Sequence, residues 1–128
     1  NLHGPSLTLS TACASSLTAL HVARRAILAG DCEAALVGGV NLSLHAGKYH
    51  LLNDMNVLSP DGHERTFDDA AKGLVPSEGV AVVVLKRLGR AIADGDRIHG
   101  VLRGSRIAHS GVGAGQFMPN IRVLEDTA

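Results

Sequence analysis

Two uninterrupted apolar runs constrain the fold more than any other feature: "AALVGGV" over residues 34–40 and "GVAVVVL" over residues 79–85. Each run has the length of a strand, and continuous apolar character is typical of parallel-type strands buried on both faces. The second run is rich in β-branched valine, so we predict that it lies at the centre of a sheet. The pair Gly38-Gly39 in the first run indicates that another backbone comes close to it.

Helical patterns separate and follow these runs. Apolar residues between positions 17 and 27 recur at the spacing of one helix face, and Gly30 is placed to end that helix in the left-handed conformation. Shorter helices are expected over residues 47–55 and before Gly95.

Two weaker strands are expected at residues 6–10 and 98–107. Alternation of buried strands and helices predicts an α/β layered domain. A chain of 128 residues suffices for one modest domain with a core. It does not begin with Met, which indicates an excerpt of a longer protein.

The charges exclude some partners. Lys and Arg number 12, as do Asp and Glu, so no net field attracts nucleic acid or a membrane surface. No apolar run approaches the ~20 residues of a membrane span, and the pattern of the first residues predicts no secretory signal.

The two cysteines are expected to be free thiols. A helix between Cys13 and Cys32 would separate them by ~25 Å at ~1.5 Å per residue, whereas a disulfide needs Cα atoms within ~7 Å. Free thiols fit the cytoplasm. Neither cysteine lies in a CxxC pair, so no zinc site is predicted.

Cys13 has two interpretations on position alone. It falls at the predicted start of a helix, where Ser10 or Thr11 is the expected N-cap and unpaired N–H groups stabilise a thiolate nucleophile. Alternatively it is a small packed residue, since free cysteine is often buried. Cys32 lies just past the helix end, where the dipole opposes a thiolate, and is read as structural.

Four stretches in this order resemble the β-ketoacyl synthase (ketosynthase) domain of modular polyketide synthases: "GPSLTLSTACASSLTALHVA", "AALVGGVNLSLHAGKYHLL", "LSPDGHERTFDDAAKGLVPSEGVAVVVLKRL" and "AIADGDRIHGVLRGS". The resemblance runs from about Gly4 to Asn120. The portion "NLSLHAGKYHLL" is most similar to ketosynthases served by a free-standing acyltransferase, the trans-acyltransferase type.

The resemblance implies a thiolase-like fold, an α-β-α-β-α layered sandwich. Residues 1–128 would form part of it, from the nucleophile strand–helix region into the start of the second half. The strand from Ala34 to Val40 matches the one that pairs across the two-fold axis of family homodimers. The implied setting is the cytoplasm, in secondary metabolism such as antibiotic biosynthesis.

The implied activity is that of a transferase. Cys13 matches the family's active-site cysteine, which takes an acyl chain from an acyl carrier protein as a thioester. A malonyl-type extender then loses CO₂ and attacks that thioester in a decarboxylative Claisen condensation. The substrates are carried on the phosphopantetheine of the carrier protein, and no cofactor is expected to bind this segment itself.

Further positions follow from the same alignment of motifs. Leu52 and Leu74 match residues that line the acyl pocket, although each is also a plausible ordinary core leucine. Phe117 stands where the family often has a threonine that contacts the pantetheine arm. Glu78 matches an acidic position that looks structural.

Two family histidines, in HGTGT-like and NxGH-like motifs, assist decarboxylation, and none of the seven histidines here lies in such a motif. We therefore expect these 128 residues alone to be inactive. Ala108 replaces a usual asparagine, and Phe117 cannot make the hydrogen bond of the threonine it replaces. These departures keep two alternatives open: a non-elongating ketosynthase that only transacylates, and a catalytically silent dimerisation module.

Overall fold

The computed structural model describes residues 2–109, 111 and 120–127. Along these residues the elements follow in the order α1 Ser15–Ala29, β1 Ala34–Asn41, α2 Gly47–Asp54, β2 Gly79–Lys86, α3 Leu88–Ala93 and α4 Ile121–Thr127. The two strands form a two-stranded sheet.

The chain divides into two compact units. One comprises Asn1–Gly38 and Val82–Ala128, and the other comprises Gly39–Ala81. None of the helices in the described ranges has both the length and the apolar character needed to span a bilayer.

The main elements agree with the sequence prediction. Helix α1 ends where expected, because Gly30 has a φ of +90° and its N–H bonds to the carbonyls of Ala26 and Ile27. Helix α3 is followed in the same way by Gly95, with a φ of +71°. Both apolar runs form strands, and α2 occupies the segment predicted for a short helix.

Both of the weaker strand predictions are wrong. Residues 6–10 and 98–107 form neither helix nor strand. A β-strand exists only when its backbone groups pair with a neighbouring strand, and neither segment has such a neighbour among the described residues. Both segments have the residue composition of a strand, but composition does not show whether a neighbouring strand is available for pairing.

The burial predicted for β2 is also wrong in this chain. Val80 and Val84 are 76% and 68% exposed, and only the last two residues of the strand are partly covered. Burial on both faces requires layers on each side of the sheet, and the described residues supply little cover. Within the described part of the chain, the buried apolar side chains are Ile27, Val37 and Ala91.

The end of α1 is held by a side chain distant in sequence. The guanidinium of Arg87, between β2 and α3, donates from Nη2 to the carbonyl oxygens of Ile27 at 2.8 Å and Leu28 at 3.0 Å. Its Nε also donates to Ile27, at 3.2 Å. Carbonyl groups at a helix C-terminus lack intrahelical partners and carry partial negative charge, so a cation there stabilises the helix.

An ion-pair network follows in the same unit. The Lys86 Nζ lies 2.5 Å from a carboxylate oxygen of both Asp94 and Asp96, and Arg90 also contacts Asp94 at 2.9 Å. The hydrogen bond from Lys86 lowers the pKa of Asp94. These contacts join the end of β2 to the turn after α3.

In the other unit, the loop between α2 and β2 is organised by two carboxylates. Asp61 accepts hydrogen bonds from Arg65, Ser59 and the His63 backbone, and the Arg65 contact is the main reason that its pKa lies well below the usual range. Glu64 accepts from the Val75 backbone N–H at 2.9 Å.

Replacing Arg87 tests its contribution to stability. We expect Arg87→Ala to lower the free energy of unfolding by about 1 kcal/mol, because two helix-end carbonyls lose a charged donor. Urea denaturation followed by circular dichroism measures this. Arg25→Ala, which removes an exposed arginine of α1, is the matched control and should change stability by less than about 0.5 kcal/mol. Equal losses in the two variants would contradict the assignment.

Glu64 predicts a pH dependence of stability. The Val75 N–H, followed by the Thr66 hydroxyl, lowers the pKa of Glu64 below its ordinary value of 4.5. Its contribution to stability is therefore complete above that ordinary value and is lost as the pH falls through the lower pKa of the folded state. The melting temperature of Glu64→Gln should consequently fall less steeply with acidification than that of the unmodified protein.

The control is Glu33→Gln, which removes an exposed carboxylate with no hydrogen-bond partner in the described ranges. If both substitutions flatten the acid side of the melting-temperature profile equally, the Val75 contact is not its cause.

Candidate functional site

Cys13 is exposed and lies immediately ahead of α1. The prediction that it falls in the first turn is wrong by two residues, since the first helical residue is Ser15 and the N-cap is Ala14. Ser10 and Thr11 do not cap the helix, and its N-cap makes no side-chain hydrogen bond. The exposure of Cys13 argues against the packed-residue interpretation in this chain.

The backbone just before Cys13 is strained. Ala12 has a φ of +50°, in the left-handed region. This conformation costs a residue with a Cβ atom about 1–2 kcal/mol. Such strain is found at functional sites, and strained turns that present a nucleophile at the start of a helix are a known arrangement.

Several hydrogen bonds hold this turn. The Ala14 N–H donates to the Thr11 carbonyl and the Ser15 N–H donates to the Ala12 carbonyl, both at 3.2 Å. The Ser15 hydroxyl donates to the same Ala12 carbonyl at 2.6 Å and accepts the Thr11 N–H at 2.9 Å. The hydroxyl groups of Thr11 and Thr18 lie 2.8 Å apart. The turn is therefore fastened to the first two turns of α1.

The start of α1 retains free donors. The N–H groups of Ser16 and Leu17 have no acceptor among the residues that the structure describes. Unpaired N–H groups of this kind give a helix start its partial positive charge. The partial positive charge predicted near Cys13 is thus present at the start of α1, three and four residues after the cysteine.

Cys32 has a different environment. It is half-buried past the end of α1, and both cysteines are free thiols, as predicted. It lines an open cleft of about 250 Å³. The other lining residues are Ile27, Gly30, Glu33, Arg87 and Arg90. Both arginines that line the cleft have other partners, since Arg87 donates to the carbonyls of α1 and Arg90 donates to Asp94.

Leu52 and Leu74 are linked through the backbone of Val57. The Val57 N–H donates to the Leu52 carbonyl at 3.3 Å, and the Val57 carbonyl accepts the Leu74 N–H at 2.8 Å. Leu52 is half-buried on α2, whereas Leu74 is 41% exposed. The structure therefore places these two predicted pocket residues in one hydrogen-bonded segment.

Gly73 allows that segment to close. Its φ is +139°, and a Cβ atom at this position would lie 2.5 Å from the backbone carbon of Leu58. Leu58 and Leu74 form a parallel bridge. Only glycine permits so close an approach of two backbones.

The other predicted positions have separate outcomes. Phe117 lies outside the described residues. Glu78 accepts the Ser43 N–H at 2.5 Å, which agrees with a structural role. The neighbouring Asn41 donates to the Ser77 carbonyl and accepts from Lys48, contacts that the sequence did not predict.

Among the residues that the structure describes, no hydrogen bond joins a histidine to Cys13. His21 on α1 is half-buried and contacts the Ser105 hydroxyl at 3.0 Å. His45 and His50 are exposed. Within the described ranges, no three His, Cys, Asp or Glu side chains are placed to hold a metal ion.

Sequence reasoning missed the residues that shape the turn. The strain at Ala12 has no compositional signal, since alanine normally avoids positive φ. Ser15 did carry one, because serine hydroxyls at the start of a helix commonly bond to nearby backbone groups.

Comparison with known proteins identifies the family. Residues 1–91 match the family model of the β-ketoacyl synthase N-terminal domain. The chain is 48% identical over 120 residues to polyketide synthase PksL of Bacillus subtilis, covering 94% of this chain and 3% of that protein. It is 50% identical over 120 residues to polyketide synthase ThaG of Burkholderia thailandensis, covering 94% of this chain and 2% of that protein.

Solved structures agree. A ketosynthase domain of oxazolomycin biosynthesis from Streptomyces albus, OzmH KS7, matches with a TM-score of 0.91 and 49% identity. The match covers 97% of this chain and 21% of that one. The ketosynthase from module 6 of the bacillaene synthase of Bacillus subtilis matches with a TM-score of 0.85 and 42% identity, covering 90% of this chain and 20% of that one.

The chain thus spans about a fifth of the solved ketosynthases that it matches. The α/β, thiolase-like fold expected from the motifs is confirmed by this structural agreement. A family-model match over most of the chain and close identity to polyketide synthases lead to one conclusion: this chain belongs to the β-ketoacyl synthase family and is ketosynthase sequence of the polyketide synthase kind.

Proposed function

We propose that Cys13 is the acyl-accepting nucleophile of a polyketide ketosynthase and that residues 1–128 form part of its catalytic domain. The observation that carries this proposal is an exposed thiol on a strained turn directly ahead of α1, in a chain of the β-ketoacyl synthase family. The N–H groups of Ser16 and Leu17, unpaired among the described residues, give the start of α1 a partial positive charge, and thioester exchange requires a nucleophilic sulfur at that helix end.

The reaction has two stages. In the first, the Cys13 thiolate attacks the thioester carbonyl of an acyl chain on an acyl carrier protein, and the pantetheine thiolate leaves. In the second, a malonyl-type extender on a carrier protein loses CO₂, and the resulting enolate attacks the Cys13 thioester. The new carbon–carbon bond releases the Cys13 thiolate and leaves a β-ketoacyl chain on the carrier. The Cys13 N–H is suited to form part of the oxyanion hole.

Other residues are assigned to substrate and partner recognition. Leu52 and Leu74 line the acyl pocket, and Phe117 lies in the stretch that meets the pantetheine arm. The partners are acyl carrier protein, a second copy of the chain through the strand from Ala34 to Val40, and a free-standing acyltransferase. No cofactor binds the segment itself, and the two free thiols favour the cytoplasm.

A second candidate is a non-elongating ketosynthase that transacylates without condensation. Ala108 and Phe117, which replace a usual asparagine and threonine, favour it. Both candidates use Cys13, so they differ only in the second stage. A domain that transfers acyl groups but releases no CO₂ from malonyl carrier protein would support the second candidate.

Replacing each cysteine tests the nucleophile. In the ketosynthase domain that carries these residues, Cys13→Ala should abolish acylation by an acyl N-acetylcysteamine thioester, because no other thiol lies on the strained turn. Intact-protein mass spectrometry detects the adduct. Cys32→Ala is the matched control and should acylate at the unmodified rate. Retained acylation in Cys13→Ala would contradict the assignment of Cys13 as the nucleophile, whereas an unreactive Cys13 in the unmodified domain would favour a silent dimerisation module.

The 128 residues by themselves should not condense substrates, because the two histidine motifs that assist decarboxylation are not among them. Radiolabelled malonyl carrier protein with an acyl donor measures this as product and CO₂ release. The whole ketosynthase domain is the positive control. Turnover by the 128 residues alone would show that condensation does not require the two histidine motifs.

A further inference from the structure

We propose that Ser15 is a positioning residue for Cys13, whose hydroxyl holds the strained turn in the conformation that presents the thiol. This inference rests on the proposed function of Cys13. It assigns to Ser15 a role in the rate of acyl transfer, in addition to its place at the start of α1.

The contacts of the hydroxyl support this role. Its oxygen accepts the Thr11 N–H at 2.9 Å and its proton is donated to the Ala12 carbonyl at 2.6 Å. Between these two backbone groups lie the torsion angles of Thr11 and Ala12. One side chain therefore restrains both residues that precede Cys13.

The restraint is needed because of the conformation of Ala12. At a φ of +50°, an alanine is outside the regions that its Cβ atom favours. Without the hydroxyl, one remaining contact to the Ala12 carbonyl is the longer 3.2 Å bond from the Ser15 N–H. Relaxation of Ala12 toward negative φ would rotate the peptide that leads into Cys13 and move the thiol.

The hydroxyl is not placed for direct proton transfer. Its proton is engaged by the Ala12 carbonyl, and its oxygen already accepts the Thr11 N–H. The other side-chain hydrogen bond at the turn joins two threonine hydroxyls, Thr11 and Thr18, so none of its members titrates near neutral pH. Loss of Ser15 should accordingly lower the maximal rate without changing the shape of its pH profile.

The experiment compares serine neighbours in the ketosynthase domain that carries these residues. Ser15→Ala removes both contacts, whereas Ser16→Ala keeps the unpaired backbone N–H and removes only an exposed hydroxyl without a hydrogen-bond partner in the described part of the chain. We expect Ser15→Ala to lower kcat for acylation of Cys13 by an acyl N-acetylcysteamine thioester about tenfold, with KM within about twofold. Ser16→Ala should leave both parameters unchanged.

A second background tests the role of strain. Glycine adopts positive φ without cost, so Ala12→Gly should reduce the dependence on the hydroxyl. In that background, Ser15→Ala should lower kcat less than about threefold. If Ser15→Ala lowers kcat equally with alanine and with glycine at position 12, the inference is overturned. It is also overturned if Ser15→Ala and Ser16→Ala lower kcat equally.

Ser15→Thr covers the case in which Ser15→Ala does not fold. Threonine keeps the hydroxyl, so kcat should stay within about twofold of the unmodified value. A tenfold loss at an unchanged melting temperature would show that the hydroxyl is not what matters. Failure of the proposed function looks different: Cys13 in the unmodified domain would then alkylate with iodoacetamide no faster than Cys32.

Discussion

The hydrogen bonds from Arg87 to the carbonyls at the end of α1 hold in place the helix that carries the Cys13 turn. The bond to Ile27 joins residues 60 positions apart in the sequence, in a part of the chain where few side chains are buried. Helix α1 is a rigid rod of 15 residues, so holding its C-terminus also limits the movement of its N-terminus. The turn that carries Cys13 is attached to that N-terminus, and its geometry follows from the placement of the helix.

Residue spacing and the length of apolar runs were sufficient to predict five elements, because both are properties of the local sequence. These elements are α1, β1, α2, β2 and α3. Spacing and apolar length were not sufficient for residues 6–10 and 98–107, since pairing depends on a neighbour that local sequence does not reveal. The exposure of Val80 and Val84 has the same origin. A strand can be recognised from its composition, but its covering layers belong to the rest of the fold.

The candidate site likewise has features that the sequence predicted and features that it did not. The motifs around Cys13, Leu52 and Leu74 suggested their roles, and the structure places Cys13, exposed, two residues ahead of the first residue of α1 rather than in its first turn. The left-handed conformation of Ala12 could not be predicted, because alanine disfavours it and only the surrounding hydrogen bonds make it stable. Strain of this kind is a property of the assembled turn rather than of any one residue.

The backbone at Leu74 has a consequence for variation among related sequences. Its N–H bonds to the Val57 carbonyl, its carbonyl accepts the Ser59 N–H at 2.9 Å, and the adjoining Gly73 excludes any larger residue. The main chain is thereby fixed on both sides while the leucine side chain remains partly uncovered. Evolution or directed engineering can therefore change the size of the side chain at this position without altering the path of the polypeptide.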